Sequence, residues 1–169
     1  DKVDKIILAL GFQAEMVVDY VKKNYPDRNI DFSIESEPLG TGGAIKQALA
    51  KADSEFVLIL NCDDFTDVYP AELEKYQENT ICGAHPRLPF GLVVNEGGYA
   101  KFIDMPILED KWVNIGWYCL NKKQLLEILP DKGNIEALVF PQMKLRVHEH
   151  TSFWGTVNSK KDIEIFEKN

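Results

Sequence analysis

The alternation of short strand-like runs with helical stretches does most to limit what this chain can fold into. Residues 5–10 and 56–60 are almost unbroken apolar runs of strand length, and residues 31–35 form a third, shorter run. Residues 14–23 set Met16, Val17, Tyr20 and Val21 at helical spacing. Residues 42–51 read as a second helix, with Thr41 placed to cap it. Residues 70–77 read as a third, with Pro70 in its first turn. Strands separated by helices predict parallel pairing through right-handed crossovers.

The second half has a different texture. Residues 91–95 and 99–104 flank Glu96-Gly97-Gly98, a hairpin signal. Residues 112–120 and 145–150 read as further strands. Residues 122–129, a short stretch around 135–140, and residues 160–168 read as helices. The expectation is one α/β domain over residues 1–169, Rossmann-like, with a mixed, mainly parallel sheet. At 169 residues the chain is long enough for one domain with a real core.

The net charge of −8, with no dense Lys/Arg cluster, disfavours nucleic acid as a partner. No apolar run reaches transmembrane length, so no membrane partner is expected. The three cysteines, Cys62, Cys82 and Cys119, share no metal-ligand spacing and read as small buried or half-buried residues in a reducing compartment. His148 and His150 alternate on one strand face, and without a third ligand they read as surface or half-buried residues. The aromatic residues Trp112, Trp117, Tyr118, Phe153 and Trp154 read as core or pocket wall.

The chemistry concentrates in two places. The strand at 31–35 runs into Glu35-Ser36-Glu37-Pro38-Leu39-Gly40-Thr41-Gly42-Gly43, a turn whose glycines let a flat ligand or a phosphate approach the backbone. The strand at 56–60 runs into Asn61-Cys62-Asp63-Asp64. A carboxylate at a strand's carboxyl end can hold a metal, although it can equally cap a turn.

These stretches resemble the sugar-1-phosphate nucleotidyltransferases, mannose-1-phosphate guanylyltransferases among them. That family shows E-x-E-P-L-G-T-A-G-A, a strand ending in G-D, F-G-V-V, E-K-P, N-A-G and W-x-D-x-G-T. Residues 35–44, Cys62-Asp63, Phe90-Gly91-Leu92-Val93, Asp104-Met105-Pro106, Asn114-Ile115-Gly116 and residues 154–159 match in that order and span nearly the whole chain. Six motifs in order are a far stronger signal than one.

The resemblance implies the nucleotidyltransferase fold and transfer of a nucleotidyl group from a nucleoside triphosphate to a sugar-1-phosphate, with Mg²⁺ as cofactor. It implies a cytoplasmic protein, with a homo-oligomer as one assembly. By the resemblance, Asp63 is the catalytic and metal-binding carboxylate, with Asn158 as a second metal ligand. Glu35, Gly40 and Thr41 would bind the nucleotide, and Gly91, Asp104 and Asn114 the sugar. A carboxylate at Glu35 suits guanine, whose N1–H and N2–H donate side by side, although a strand-end glutamate can simply face solvent.

Several departures from the family pattern stand out. Cys62 replaces a glycine. Met105 replaces the lysine expected to pair with the sugar phosphate, leaving Lys101 or Lys111 as substitutes. Asn158 aligns with an aspartate of cytidylyltransferase-like members, and Thr156 with that of the commoner motif. The family's opening strand and glycine-rich G-G-x-G-T-R-L loop have no counterpart, so residues 1–169 read as lacking the triphosphate cradle. A non-catalytic, nucleotide-sugar-binding relative is therefore the second reading. A glycosyltransferase ranks third, since Asp63 and Asp64 are adjacent rather than spaced D-x-D.

Overall fold

The run Ile6-Ile7-Leu8-Ala9-Leu10 forms β1 (Ile6–Leu10), which pairs in parallel with β2 (Ile30–Ile34), Ile6 opposite Ile30 and Leu10 opposite Ile34. Parallel strands need a crossover. Helix α1 (Ala14–Asn24) supplies it, with Glu15 in its first turn and Lys22 and Lys23 in its last, the arrangement that suits the helix dipole. Helix α2 (Gly40–Leu49) packs against both strands. It starts two residues before the predicted position. Leu39 is therefore the N-cap residue, and Thr41 lies inside the first turn.

This computed structural model describes residues 3–167. β3 (Phe56–Leu60) forms as predicted. Three strands were not legible: β4 (Asp64–Thr66), β5 (Thr80–Ala84) and β10 (Trp154–Thr156). β4 and β10 have three residues each, too few to show a period. β5 reads Thr-Ile-Cys-Gly-Ala and is almost wholly buried, so it shows no apolar–polar alternation. Helix α3 (Pro70–Glu74) stops before its predicted end at Gln77, which sits at φ 51°, outside the helical region.

β6 (Leu92–Glu96) and β7 (Tyr99–Ile103) form the predicted hairpin, with Gly97 and Gly98 both at positive φ as a two-residue primed turn requires. β8 (Val113–Asn121) leads straight into α4 (Lys122–Ile128), capped by the Asn121 side chain, which accepts from the Gln124 N–H at 3.1 Å. α5 (Ile135–Leu138) and a 3₁₀ turn (Phe140–Gln142) precede β9 (Arg146–His150). α6 (Lys160–Phe166) closes the described chain; its predicted end at Lys168 lies outside the described residues.

The sheet pattern is mixed. β1–β2 and β5–β9 are parallel, whereas β5–β8, β6–β7 and β4–β10 are antiparallel. The largest sheet has the order β3-β8-β5-β9. The chain divides into two units. The first is Asp1–Val57, Gln77–Asn79 and Leu120–Leu145; the second is Leu58–Tyr76, Thr80–Cys119 and Arg146–Asn169. Ala14, Val21, Leu49, Leu125, Ile135 and Val139 are buried in the first, and Leu73, Cys82, Ile115 and Tyr118 in the second. No described helix is long and apolar enough to cross a membrane.

Candidate active site

In the first unit, the carboxyl ends of β1 and β2 lie side by side. Glu35 directly follows β2, and its N–H donates to the Leu10 carbonyl at 2.9 Å. Its Oε2 accepts the Leu39 N–H at 3.0 Å, closing the Glu35–Leu39 turn. Its other oxygen lies over Gly11. A Cβ there would stand 2.4 Å from Glu35 Oε1, so only glycine leaves the carboxylate this position. The half-buried Glu35 thus keeps unused acceptor capacity on a side chain held from below and from one end.

The glycines after Leu39 have a different reason from the one the sequence suggested. Loop 130–134 folds onto them. Added Cβ atoms would meet the Gly133 carbonyl at 2.8 Å from Gly40 and 3.0 Å from Gly42, and the Asp131 carbonyl at 2.5 Å from Gly43. The Gly42 N–H donates to Gly133 O at 2.8 Å, and the Gly133 N–H to Leu39 O at 2.7 Å. Gly40 also sits at φ +72°. On that face these glycines admit the chain's own backbone. Thr41 is likewise engaged: its hydroxyl accepts from the Ile135 N–H at 3.0 Å and donates to Glu136 at 3.2 Å. It satisfies an orphan donor at the start of α5 instead of capping its own helix.

In the second unit, the two adjacent aspartates after β3 have opposite environments. Asp64 is half-buried and committed. Its Oδ1 accepts from Trp154 Nε1 at 3.2 Å and its Oδ2 from Asn61 Nδ2 at 3.3 Å. A Cβ on Gly116, at φ +72°, would stand 2.3 Å from Asp64 Oδ2. Asp63 is exposed, and among the described residues its carboxylate has no hydrogen bond or ion pair. The β4–β10 ladder places Thr156 opposite Asp64, and the Val157 N–H donates to Asp63 O at 2.8 Å. The backbone register therefore brings Asn158 to the same end of the ladder as Asp63. Asn158 donates through Nδ2 to Thr156 Oγ1 at 3.3 Å, which leaves its Oδ1 as a neutral acceptor.

That donor set fits a sparsely held hard cation. Mg²⁺ takes oxygen ligands, usually one or two protein carboxylates with waters and substrate phosphates completing the shell. Asp63 supplies one charged oxygen donor and Asn158 one uncharged. No group of three or more His, Cys, Asp or Glu poised for a metal occurs among the described residues. Any cation here would depend on the phosphates of a substrate.

The candidate sugar residues are also in the second unit. Asn114 precedes Gly116 on β8; it accepts from the Gly116 N–H at 3.0 Å and donates to the Tyr118 hydroxyl at 2.7 Å. This bridge holds the turn that passes over Asp64 and Asn61. Gly91 lies under the Phe102 ring, where any side chain would collide. Asp104 follows β7, exposed, beside Met105 at φ 37°. Lys101 pairs with Glu96 at 3.5 Å and Lys111 with Asp110 at 3.0 Å. Both cations considered as substitutes for the missing lysine thus already have carboxylate partners.

His148 and His150 differ from expectation: both are buried, although β9 is an edge strand. Glu72 and Tyr76, from α3 and just beyond it, cover His148, with Nδ1 3.2 Å from the Tyr76 hydroxyl and Nε2 3.6 Å from Glu72. His150 Nε2 lies 2.9 Å from Asp67 Oδ1 and 2.9 Å from the Phe153 carbonyl. Two pure acceptors on that nitrogen place its proton there. Burial holds the His148 pKa below its ordinary 6.5; nearby Glu72 opposes the shift, and His150 and Lys75 add to it. The Ser152 hydroxyl, and after it His150, hold Asp67 below the usual carboxylate range. Burial pushes the thiols of Cys82 and Cys119 up to about 12 and about 11, so both stay protonated and inert; Cys62 is exposed. Tyr118 is core as expected, whereas Trp112 and Phe153 are exposed.

Parallel pairing of β1 with β2 through a crossover helix, with acceptor side chains at the strands' carboxyl ends, defines a Rossmann-like α/β fold. The comparisons with known proteins narrow that class. No family model matches the chain. Mannose-1-phosphate guanyltransferase of Yarrowia lipolytica is 32% identical over 183 residues, covering 95% of this chain and 49% of the relative. D-glycero-alpha-D-manno-heptose 1-phosphate guanylyltransferase of Aneurinibacillus thermoaerophilus is 48% identical over 79 residues, covering 47% of this chain and 33% of the relative. Among solved structures, HddC from Yersinia pseudotuberculosis superposes with a TM-score of 0.76 at 23% identity, covering 96% of this chain and 77% of that one. Over 95% of its own length the chain is thus similar to sugar-1-phosphate nucleotidyltransferases, and it shares their fold. It spans about half the length of the curated mannose-1-phosphate relatives it matches.

Gly11 and Gln47 shape the surroundings of Glu35, and no motif pointed to either. Gly11, the glycine directly after a strand, carried a signal. Gln47 carried none, because a glutamine on a helix reads as solvated.

Proposed function

We propose that this protein transfers a nucleotidyl group from a nucleoside triphosphate, GTP favoured, to a hexose- or heptose-1-phosphate, giving a nucleotide sugar and pyrophosphate. One observation carries the reading. Of two adjacent aspartates at the carboxyl end of β3, Asp64 is consumed by Trp154 and Asn61, while Asp63 stands exposed with its charge uncommitted. An unpaired carboxylate held in register by a ladder is what a phosphate-bound Mg²⁺ requires.

In this reading a sugar phosphate oxygen attacks the α-phosphorus and pyrophosphate leaves, so the protein's task is positioning and charge neutralisation. Asp63 and Asn158 hold Mg²⁺, which would neutralise phosphate charge when bound. Glu35 reads the base, with the Gly40 backbone beside it; since the Thr41 hydroxyl belongs to α5, only its backbone serves the nucleotide. Gly91, Asp104 and Asn114 face the sugar. The setting is cytoplasmic, with small-molecule substrates, no nucleic acid or membrane partner, and a homo-oligomer as one assembly.

The test is pyrophosphate release by the full-length protein from GTP, UTP, dTTP or CTP with mannose-1-phosphate or a manno-heptose-1-phosphate and Mg²⁺. Release with no pair of substrates would sink this reading. It would favour a non-catalytic, nucleotide-sugar-binding relative, for which Met105 and the prior pairing of Lys101 and Lys111 already speak.

A further inference from the structure

We propose that Gln47 is a positioning residue for base selection: it clamps the end of β2 and so sets where Glu35 presents its carboxylate. This inference rests on the reading of Glu35 as the base-reading residue.

Gln47 lies on the third turn of α2, three residues past the matched 35–44 stretch and outside every motif. Its Nε2 donates to the Ile34 carbonyl at 2.9 Å and to Ser33 Oγ at 3.1 Å. These are the last two residues of β2, immediately before Glu35. The Ile34 carbonyl can only accept, so the amide nitrogen must face it, and that fixes the orientation of the carboxamide. Ser33 is only 4% exposed, so its half of the clamp works where water competes weakly, whereas the bond to the Ile34 carbonyl is open to solvent. Ala9, Leu10, Gly11, Ser33, Glu35, Ala44 and Gln47 line a cavity of about 60 Å³. It is too small for a base, but it gives the strand end room to shift if the clamp is lost.

Glu35 is thereby held at its backbone, at one carboxylate oxygen and from below by groups of its own unit. Leu10 takes its N–H, Gln47 the carbonyl before it, Leu39 one carboxylate oxygen, and Gly11 lies under the other. The Leu10 and Leu39 bonds are main-chain devices that most sequences could supply, and the place under the other oxygen asks only for a glycine. The Gln47 clamp is the one made by a side chain from another element. A carboxylate that must meet two donors side by side tolerates little displacement.

The experiment is calorimetric titration of the full-length protein with GTP and with ITP, whose base lacks the 2-amino group. In the wild type GTP binds more tightly. Glu35→Gln should cut that preference at least about tenfold, because the amide puts a donor where guanine also donates. Gln47→Met, a helix-compatible side chain of similar length, should cut it about three- to tenfold while ITP binding stays close to wild type. A purely structural role would weaken GTP and ITP equally, and an unchanged preference in Gln47→Met overturns the proposal. If Gln47→Met does not fold, Ser33→Ala takes its place: it removes one of the two acceptors and should give a smaller fall in the same direction, and no fall overturns the clamp. If Glu35→Gln leaves the preference intact, or if the wild type shows none, base reading by Glu35 is itself wrong and the clamp falls with it.

Discussion

Asp63 and Asp64 are chemically identical neighbours that the structure separates by what they touch. Asp64 spends both oxygens on Trp154 and Asn61, whereas Asp63 spends neither. Asp63→Asn should therefore reduce Mg²⁺-dependent pyrophosphate release by a factor of about 100 or more, while far-UV circular dichroism and the melting temperature stay near wild type. Full activity in that variant removes Asp63 from the mechanism. Glycines make a second test at this scale. If Gly43 serves the packing of loop 130–134, with Asp131 O 2.5 Å from a notional Cβ, then Gly43→Ala should cost about 1–3 kcal/mol in urea melts of the ligand-free protein. A change within error would return that glycine to a ligand-contact role. Thr41→Val, which strips the partner from the Ile135 N–H, should cost about 1 kcal/mol by the same measurement.

Among the elements, those whose pattern is set by their own residues were legible in advance. β1, β3 and the β6–β7 hairpin are unbroken apolar runs or a double-glycine turn, and each formed where expected. β5 was not legible, because a strand made of Thr, Ile, Cys, Gly and Ala is defined by β8 and β9 on its two sides. β9 was placed correctly, but its histidines were not. Whether an edge strand's polar face is wet depends on what covers it, here Glu72, Tyr76 and Asp67. That burial has a measurable consequence. The unfolded chain takes up a proton at the ordinary histidine value of 6.5, and folded His148 only at lower pH. Below about pH 6.5 the unfolded state thus binds more protons, and stability should fall as the pH drops through the interval between the two values. Urea melts from pH 8 to 5 should show this loss, and His148→Gln should flatten part of it. A slope unaltered by that substitution would assign the acid sensitivity elsewhere.

In the proposed reading, the residues described supply a base-reading strand end, a metal carboxylate and a sugar-facing hairpin, within a chain that spans about half the length of its curated relatives. Residues 1–169 expressed alone should bind GTP poorly and release no measurable pyrophosphate, and titration calorimetry with a coupled phosphate assay checks both. Robust turnover would show that the triphosphate is cradled by residues already named. The amino-acid order alone determined the α/β class, the resemblance to the sugar-1-phosphate nucleotidyltransferases and which side chains could carry charge, because these follow from local periodicity and from motifs of a few adjacent residues. The tertiary structure alone decided which of those groups remain free. The glycines of the 40–43 turn gave their space to Asp131 and Gly133, Thr41 gave its hydroxyl to α5, and Asp64 gave its charge to Trp154, a residue 90 positions away. A side chain's availability depends on neighbours brought in by long-range packing, and local sequence carries no record of them.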